Sequence, residues 1–271
     1  ASVYKTIDII TKQWYAIKLE LSLDGNSSVE REYSLLRDLN RAGIPHVHWF
    51  GRESNYDALV LNLLGPSLHQ IMSQRKKLHL CTIVLLANQL ISSLQYIHSR
   101  GFIHGDIKPQ NIMMGLGSEA LTVFIMDFGL AKQFCHLNTG LHILFHRSHH
   151  LMGTPAFASI NSHLGAELGC RDDLESLVYV LIYFACSSLP CLDKANGLGS
   201  SVPLILNIKQ MTPVELLCSG LPREFATLLT YTRSLSFSEE PDYNYIRLLF
   251  TALQNEIPDL EALQNPHLLD L

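Results

Sequence analysis

Two short polar segments, set apart by about one strand's length, constrain this chain more than any other feature: His104-Gly105-Asp106-Ile107-Lys108-Pro109-Gln110-Asn111 and Asp127-Phe128-Gly129. Between them Leu121 to Met126 reads as a short apolar strand. Alone, Asp-Phe-Gly is an ordinary turn sequence. Coupled to an H-x-D-x-K-x-x-N run sixteen residues earlier, and to Ala16-Ile17-Lys18 far upstream, it supplies what moving a phosphoryl group demands. The needs are a carboxylate to orient the attacking hydroxyl, oxygen ligands for a divalent cation, and positive charge where negative charge gathers.

In that pattern Asp106 is the candidate catalytic base, Asn111 and Asp127 are the candidate magnesium ligands, and Lys108 is placed to stabilise the group in transfer. Lys18 lies in an apolar strand, where an unpaired ammonium would be expensive, so it calls for an anionic partner. Glu32 is the first candidate, near the start of an amphipathic stretch with Leu35 and Leu36 on the inward face, and Glu30 is the second. The competing reading of Lys18 is a solvated lysine on an edge strand.

The surrounding pattern is α+β. Val3 to Thr6 and Trp14 to Leu19 are β-rich and hairpin-like, Glu30 to Leu39 has a helical stripe, and Asp57 to Leu64 is a strand stopped by Gly65-Pro66. From Ser67 onward the helical period dominates. Thr82 is the expected N-cap of a helix running to Arg100-Gly101, and further helices are expected over 172–184, 214–217, 225–235 and 243–253. Asn196 to Ser201 reads as a surface loop.

With 271 residues and 47% hydrophobic content the chain can bury a substantial core. A net charge of −5 gives no general electrostatic hold on nucleic acid or an anionic membrane, and neither is expected as a partner. Leu177 to Cys186 is the longest apolar run and is too short for a membrane span, so a buried helix is expected. Six scattered cysteines without a C-x-x-C pair point to reduced thiols and a cytoplasmic or nuclear location. Ala1 to Asp8 has no signal-peptide character.

Further segments carry a family likeness. Leu64-Gly65-Pro66-Ser67-Leu68, Gly153-Thr154-Pro155-Ala156-Phe157-Ala158-Ser159-Ile160-Asn161, Arg171 to Leu177 and Pro241-Asp242-Tyr243 resemble the landmarks of casein kinase I among the eukaryotic serine/threonine protein kinases. The resemblance runs to about Leu253. It implies a bilobal protein kinase-like fold, with a small β-rich N-lobe and hinge over 1–64 and a larger helical C-lobe over 65–271. It also implies ATP and Mg2+ as cofactors, serine and threonine residues of proteins as substrates, and a monomer. By resemblance the hinge is Asn62, Leu63 and Leu64 with Leu61 as gatekeeper. Val3, Ala16, Met113 and Met126 would line the adenine pocket, and Asp173 would hydrogen-bond the backbone of the catalytic loop. The bland reading of Asp173 is an ordinary helix N-cap.

Three departures matter. No G-x-G-x-x-G precedes Val3, and Ala1 stands where its last glycine would fall, so the N-lobe is expected to lack its first strand and glycine loop in an N-terminally truncated domain. Gly105 replaces the arginine that in many kinases pairs with a phosphorylated loop, which argues against that kind of switching. The family's basic pair for phosphorylated or acidic substrates maps onto Ala156 and Val202, so little preference for primed substrates is expected. His136, His142, His146, His149 and His150 match no zinc spacing and are read as a solvated, mobile loop. The rival functions are a catalytically weak or inactive ATP-binding scaffold and a small-molecule phosphotransferase; Lys108 and the Arg171 to Leu177 block argue against the latter.

Overall fold

The computed structural model describes residues 1–21, 27–136, 139–148, 150–192 and 201–256. Strands β1 (Ser2–Ile7) and β2 (Trp14–Leu21) form the expected antiparallel hairpin, with Val3 opposite Lys18. The Asp8 carboxylate accepts the Ile10 and Thr11 amides and so closes the turn. Helix α1 (Ser28–Leu36) starts two residues before the expected Glu30, because Ser27 caps it by accepting from the amides of Val29 and Glu30. Its inward stripe is Val29, Glu32, Leu35 and Leu36.

Strands β3 (Val47–Glu53) and β4 (Tyr56–Asn62) complete a four-stranded sheet in the order β1-β2-β4-β3. Strand β3 was not foreseen. It is an edge strand with Trp49 about half exposed, so no buried face marks its sequence.

After the crossover at Leu63 to Pro66 the chain becomes helical. Helix α2 (Leu68–Gln74) opens with a reciprocal box, in which Ser67 Oγ accepts the Gln70 amide and Gln70 Oε1 accepts the Ser67 amide. Helix α3 (Leu80–Ser99) begins two residues before Thr82, which is buried in the first turn; the cap position is His79, without a side-chain bond. Leu80 packs against the core and draws the helix start upstream of the hydroxyl residue. Helix α3 is apolar and long enough to cross a membrane by length and composition, yet Ile83, Val84, Ile91, Leu94 and Ile97 are wholly buried in the protein.

Short strands β5 (Phe102–Ile103), β6 (Ile112–Met114), β7 (Val123–Ile125) and β8 (Lys132–Gln133) pair as β5 with β8 and β6 with β7. They present the two polar segments on one side of the helices. Helices α4 (Ile160–His163), α5 (Cys170–Cys186), α6 (Val202–Met211), α7 (Val214–Leu217), α8 (Arg223–Ser234) and α9 (Tyr243–Glu256) follow. Leu177 to Cys186 is the second half of α5, as the apolar run implied. Leu181, Phe184, Phe225, Ile246 and Phe250 are fully buried or nearly so, and each such side chain contributes about 1.5–3 kcal/mol by leaving water. The architecture is bilobal, a small antiparallel sheet set on a helical lobe.

The histidine-bearing segment is largely exposed, as a solvated loop would be, but it is anchored at two points. The His142 ring meets Phe237 edge-on at 4.5 Å, and His146 Nδ1 lies 2.7 Å from the Glu167 carboxylate, which also binds Lys132. Apolar neighbours and one buried carboxylate hold it, information that histidine spacing does not carry. Among the described residues no three His, Cys, Asp or Glu side chains group to hold a metal ion. All six cysteines are free thiols. His149, most of the Asn196 to Ser201 patch and the tail from 257 lie outside the described residues.

Candidate active site

Strand β2 carries Lys18 into the space between the lobes. Its Nζ donates to Glu32 Oε2 of α1 at 2.6 Å and to Asp127 Oδ1 at 2.8 Å. Glu32 is therefore the partner, and Glu30, the alternative, turns outward to Arg52 at 3.4 Å. The other Glu32 oxygen accepts the Phe128 amide at 3.0 Å, so one buried carboxylate ties α1 both to the strand lysine and to the turn after Asp127. Burial works against the Lys18 charge, yet Glu32 and Asp127 together hold its ammonium above the ordinary lysine value. For Asp127 burial likewise pushes upward, and Lys18, with His104 and Lys108, outweighs it and keeps the carboxyl below its usual range.

Asp127 sits at φ 65°, in the left-handed region, which costs an aspartate roughly 1–3 kcal/mol. That backbone aims its half-exposed carboxylate into the cleft.

Asp106 stands in the loop after β5 and is tied to the cleft-lining Asn111. Its Oδ1 accepts the Thr154 amide at 2.9 Å and the Thr154 hydroxyl at 2.8 Å. Its Oδ2 is 2.6 Å from Lys108 Nζ and 3.2 Å from Asn111 Nδ2. Lys108 also donates to the Thr154 hydroxyl at 2.9 Å. The Thr154 hydroxyl thus shows where an aliphatic hydroxyl meets both the acid and the amine. Thr154 stood inside a quoted segment without a role; only the fold brings it to Asp106.

The loop that holds Asp106 is fastened from behind. Asp173, 3% exposed, accepts the amides of His104 at 2.7 Å and Gly105 at 2.8 Å, and contacts His98 Nε2 at 2.9 Å. Burial disfavours its charge, but His98 and the loop amides hold the carboxyl below its ordinary value. The capping role belongs to its neighbour Asp172, which accepts the Gly169 amide at 2.8 Å. Gly105 adopts φ +78° and Gly153 φ +86°, and a Cβ on Gly153 would come within 2.6 Å of the Gly105 carbonyl oxygen. The two strands of chain meet too closely there for a side chain.

The cleft has a volume of about 440 Å³, within the roughly 300–1,000 Å³ typical of small-molecule sites. Val3, Ala16, Lys18, Glu32, Leu61, Asn62, Leu63, Leu64, Asn111, Met113, Met126 and Asp127 all line it. It also takes in Ala1, Tyr4, Lys5 and Gln110, to which the sequence assigned no part in the cleft. Leu61 is 3% exposed and walls off the inner end. Asn111 uses its amide nitrogen on Asp106, and among the described residues nothing donates to its amide oxygen or to Asp127 Oδ2. Two hard oxygen ligands at the polar end of the cleft, beside Lys18 and Glu32, fit a magnesium ion.

A family model for the protein kinase domain matches residues 1–212.

Proposed function

The chain belongs to the protein kinase family, and from that premise we propose that it transfers the γ-phosphate of ATP to serine and threonine hydroxyls of proteins, in the manner of casein kinase I. The observation that carries this reading is the junction of the lobes: Lys18 bonded at once to Glu32 and Asp127, opposite an Asp106 already in contact with an aliphatic hydroxyl. Protein kinase domains generally use ATP with Mg2+.

Val3, Ala16, Leu61, Met113 and Met126 form the apolar part of the site, with Asn62, Leu63 and Leu64 along its edge. Lys18, fixed by Glu32, binds phosphate oxygens. Asn111 and Asp127 would hold the metal ion, which when bound would supply charge neutralisation for the phosphates. Asp106 orients the acceptor hydroxyl and takes up its proton, and Lys108 donates to the same hydroxyl's surroundings and offsets the negative charge of the group in transfer. An aliphatic acceptor fits because Thr154 presents such a hydroxyl at the same carboxylate. Free thiols throughout suit a reducing compartment, cytoplasmic or nuclear.

The deciding experiment is transfer of labelled γ-phosphate to casein or a serine peptide, compared with Asp127→Ala. Transfer lost in the variant is expected. Binding of Mg-ATP without turnover in the unaltered protein would favour an ATP-binding scaffold, and transfer confined to a small-molecule hydroxyl would favour a metabolite phosphotransferase.

A further inference from the structure

The segment after Thr154 runs beside the proposed base, so a protein substrate presenting its hydroxyl to Asp106 must cross it. Its carbonyls point the other way, into the helical lobe. There they meet one cation. Lys209 of α6 is 5% exposed, and its Nζ donates to the Pro155 carbonyl at 3.1 Å and to the Ala158 carbonyl. The ammonium also stands 4.2 Å from the centre of the Tyr179 ring. Cys191 Sγ approaches the Ala156 carbonyl at 3.8 Å, and His163 Nε2 reaches the Pro155 carbonyl at 2.8 Å. Three carbonyls within four residues of substrate-side backbone, Pro155, Ala156 and Ala158, are thus held from below by side chains of three different segments.

Lys209 forms no ion pair within 4.0 Å among the described residues. Glu175, the nearest carboxylate on the facing helix, is engaged by the Tyr179 hydroxyl at 2.7 Å and by Arg233 at 3.3 Å. A buried ammonium hydrogen-bonded to carbonyl oxygens and set beside a ring, with no carboxylate in ion-pair range among the described residues, is a costly arrangement, and apolar packing would hold the backbone at less cost if holding it were all that was required.

We propose that Lys209 is a positioning residue of the phosphotransfer site: it clamps Pro155–Ala158 into the floor that receives the protein substrate beside Asp106. The proposal rests on the protein kinase reading above for its substrate, but the clamp itself is a property of the fold. Burial pushes the Lys209 ammonium down to about 8, against Cys191 and Glu175 and with Arg233, so raising the pH through that value removes the charge from the clamp. The groups facing it are Glu175 and Tyr179 from α5, Arg233 from α8, His163 from α4, and Cys191.

The test compares the whole chain with Lys209→Met and Lys209→Arg. Hydrogen exchange read by mass spectrometry should show the Phe157 and Ala158 amides, which bond the Thr154 carbonyl, exchanging roughly tenfold faster in the Met variant and near the original rate in the Arg variant. KM for a protein substrate should rise roughly tenfold in the Met variant with KM for ATP unchanged. In the unaltered protein KM for the protein substrate should climb as pH passes about 8, and Lys209→Arg should flatten that climb. Should the Met variant not fold, Lys209→Gln, which keeps an uncharged donor, takes its place. Unchanged exchange at 157 and 158 overturns the clamp, and so does faster exchange spread evenly over the helical lobe with a lower Tm. The exchange measurement needs no catalysis, so it decides on the clamp even if no phosphate transfer is found.

Discussion

Asp127 lines the cleft and Asp106 is joined to it through Asn111, while Asp172, Asp173 and Glu175 follow one another along α5 with 2–3% of their surface exposed. All five carboxylates are hydrogen-bonded; what differs is whether the partners are buried and packed in place or part-exposed and able to rotate away. Asp173 binds two backbone amides and a buried imidazole, and Asp172 binds an amide, the Ser159 hydroxyl and Asn161. Asp106 binds one backbone amide, but its other contacts include a part-exposed ammonium and a part-exposed hydroxyl on rotatable bonds, and among the described residues the Asp127 carboxylate has only the part-exposed Lys18. A carboxylate with rotatable partners can exchange one for a substrate or a metal ion. A carboxylate with fixed partners holds the chain in place.

The strongest way to break this contrast is Asp106→Asn, which should cut phosphate transfer about 10²- to 10⁴-fold and leave Tm nearly unchanged. Retained activity, measured with labelled ATP, would remove Asp106 from the movable class. Next is Asp173→Ala, which leaves the imidazole and two loop amides without their acceptor and should lower the unfolding free energy by about 3 kcal/mol in denaturant titration. A loss of activity with full stability would mean that Asp173 behaves like a cleft residue.

Glu20 lies between the two classes, half-buried and gripped by the Ser27 and Ser28 hydroxyls and the Val29 amide at the start of α1. Burial pushes its carboxyl up, but those donors bring it down to about 2 from 4.5. A depressed carboxyl stabilises the fold above its unfolded value, so this contribution should be complete above about pH 4.5 and vanish as pH falls through about 2. Glu20→Gln should flatten that acid-side slope in thermal melts, and Glu20→Ala should cost about 1 kcal/mol at neutral pH, the usual worth of a helix cap. The smallest effect concerns cations open to substrate. Ala156 is buried and uncharged and Val202 begins α6 with no charge to offer, so matched phosphorylated and unphosphorylated peptides should differ less than about fivefold in kcat/KM. A large advantage for the phosphorylated peptide would reveal a movable cation elsewhere on the rim.

Much of the site was legible because its chemistry is local in sequence. Asp106, Lys108 and Asn111 fall within one loop, and Lys18 declared itself as a charge in an apolar strand with Glu32 on the inward face of the next helix. The likeness to casein kinase I supplied the cleft's lining residues. Less legible were α2, α4, α6 and strand β3, whose signals are a short cap or an edge position in place of a strong apolar period. Thr82 misled because a threonine before an apolar run is a good cap locally, whereas burial of Leu80 set the actual start.

The amino-acid order alone carried the residue types and spacing that phosphoryl transfer calls for and the order of a small sheet before a helical body, since residue type, spacing and periodicity are properties of the chain itself. Tertiary structure decided who meets whom: Glu32 and not Glu30 at Lys18, Thr154 at Asp106, Asp173 beneath the catalytic loop, and Lys209 under Pro155–Ala158. These partners stand 14 to 69 positions apart, and only the packing of elements within each lobe sets the distances over which hydrogen bonds and charges act.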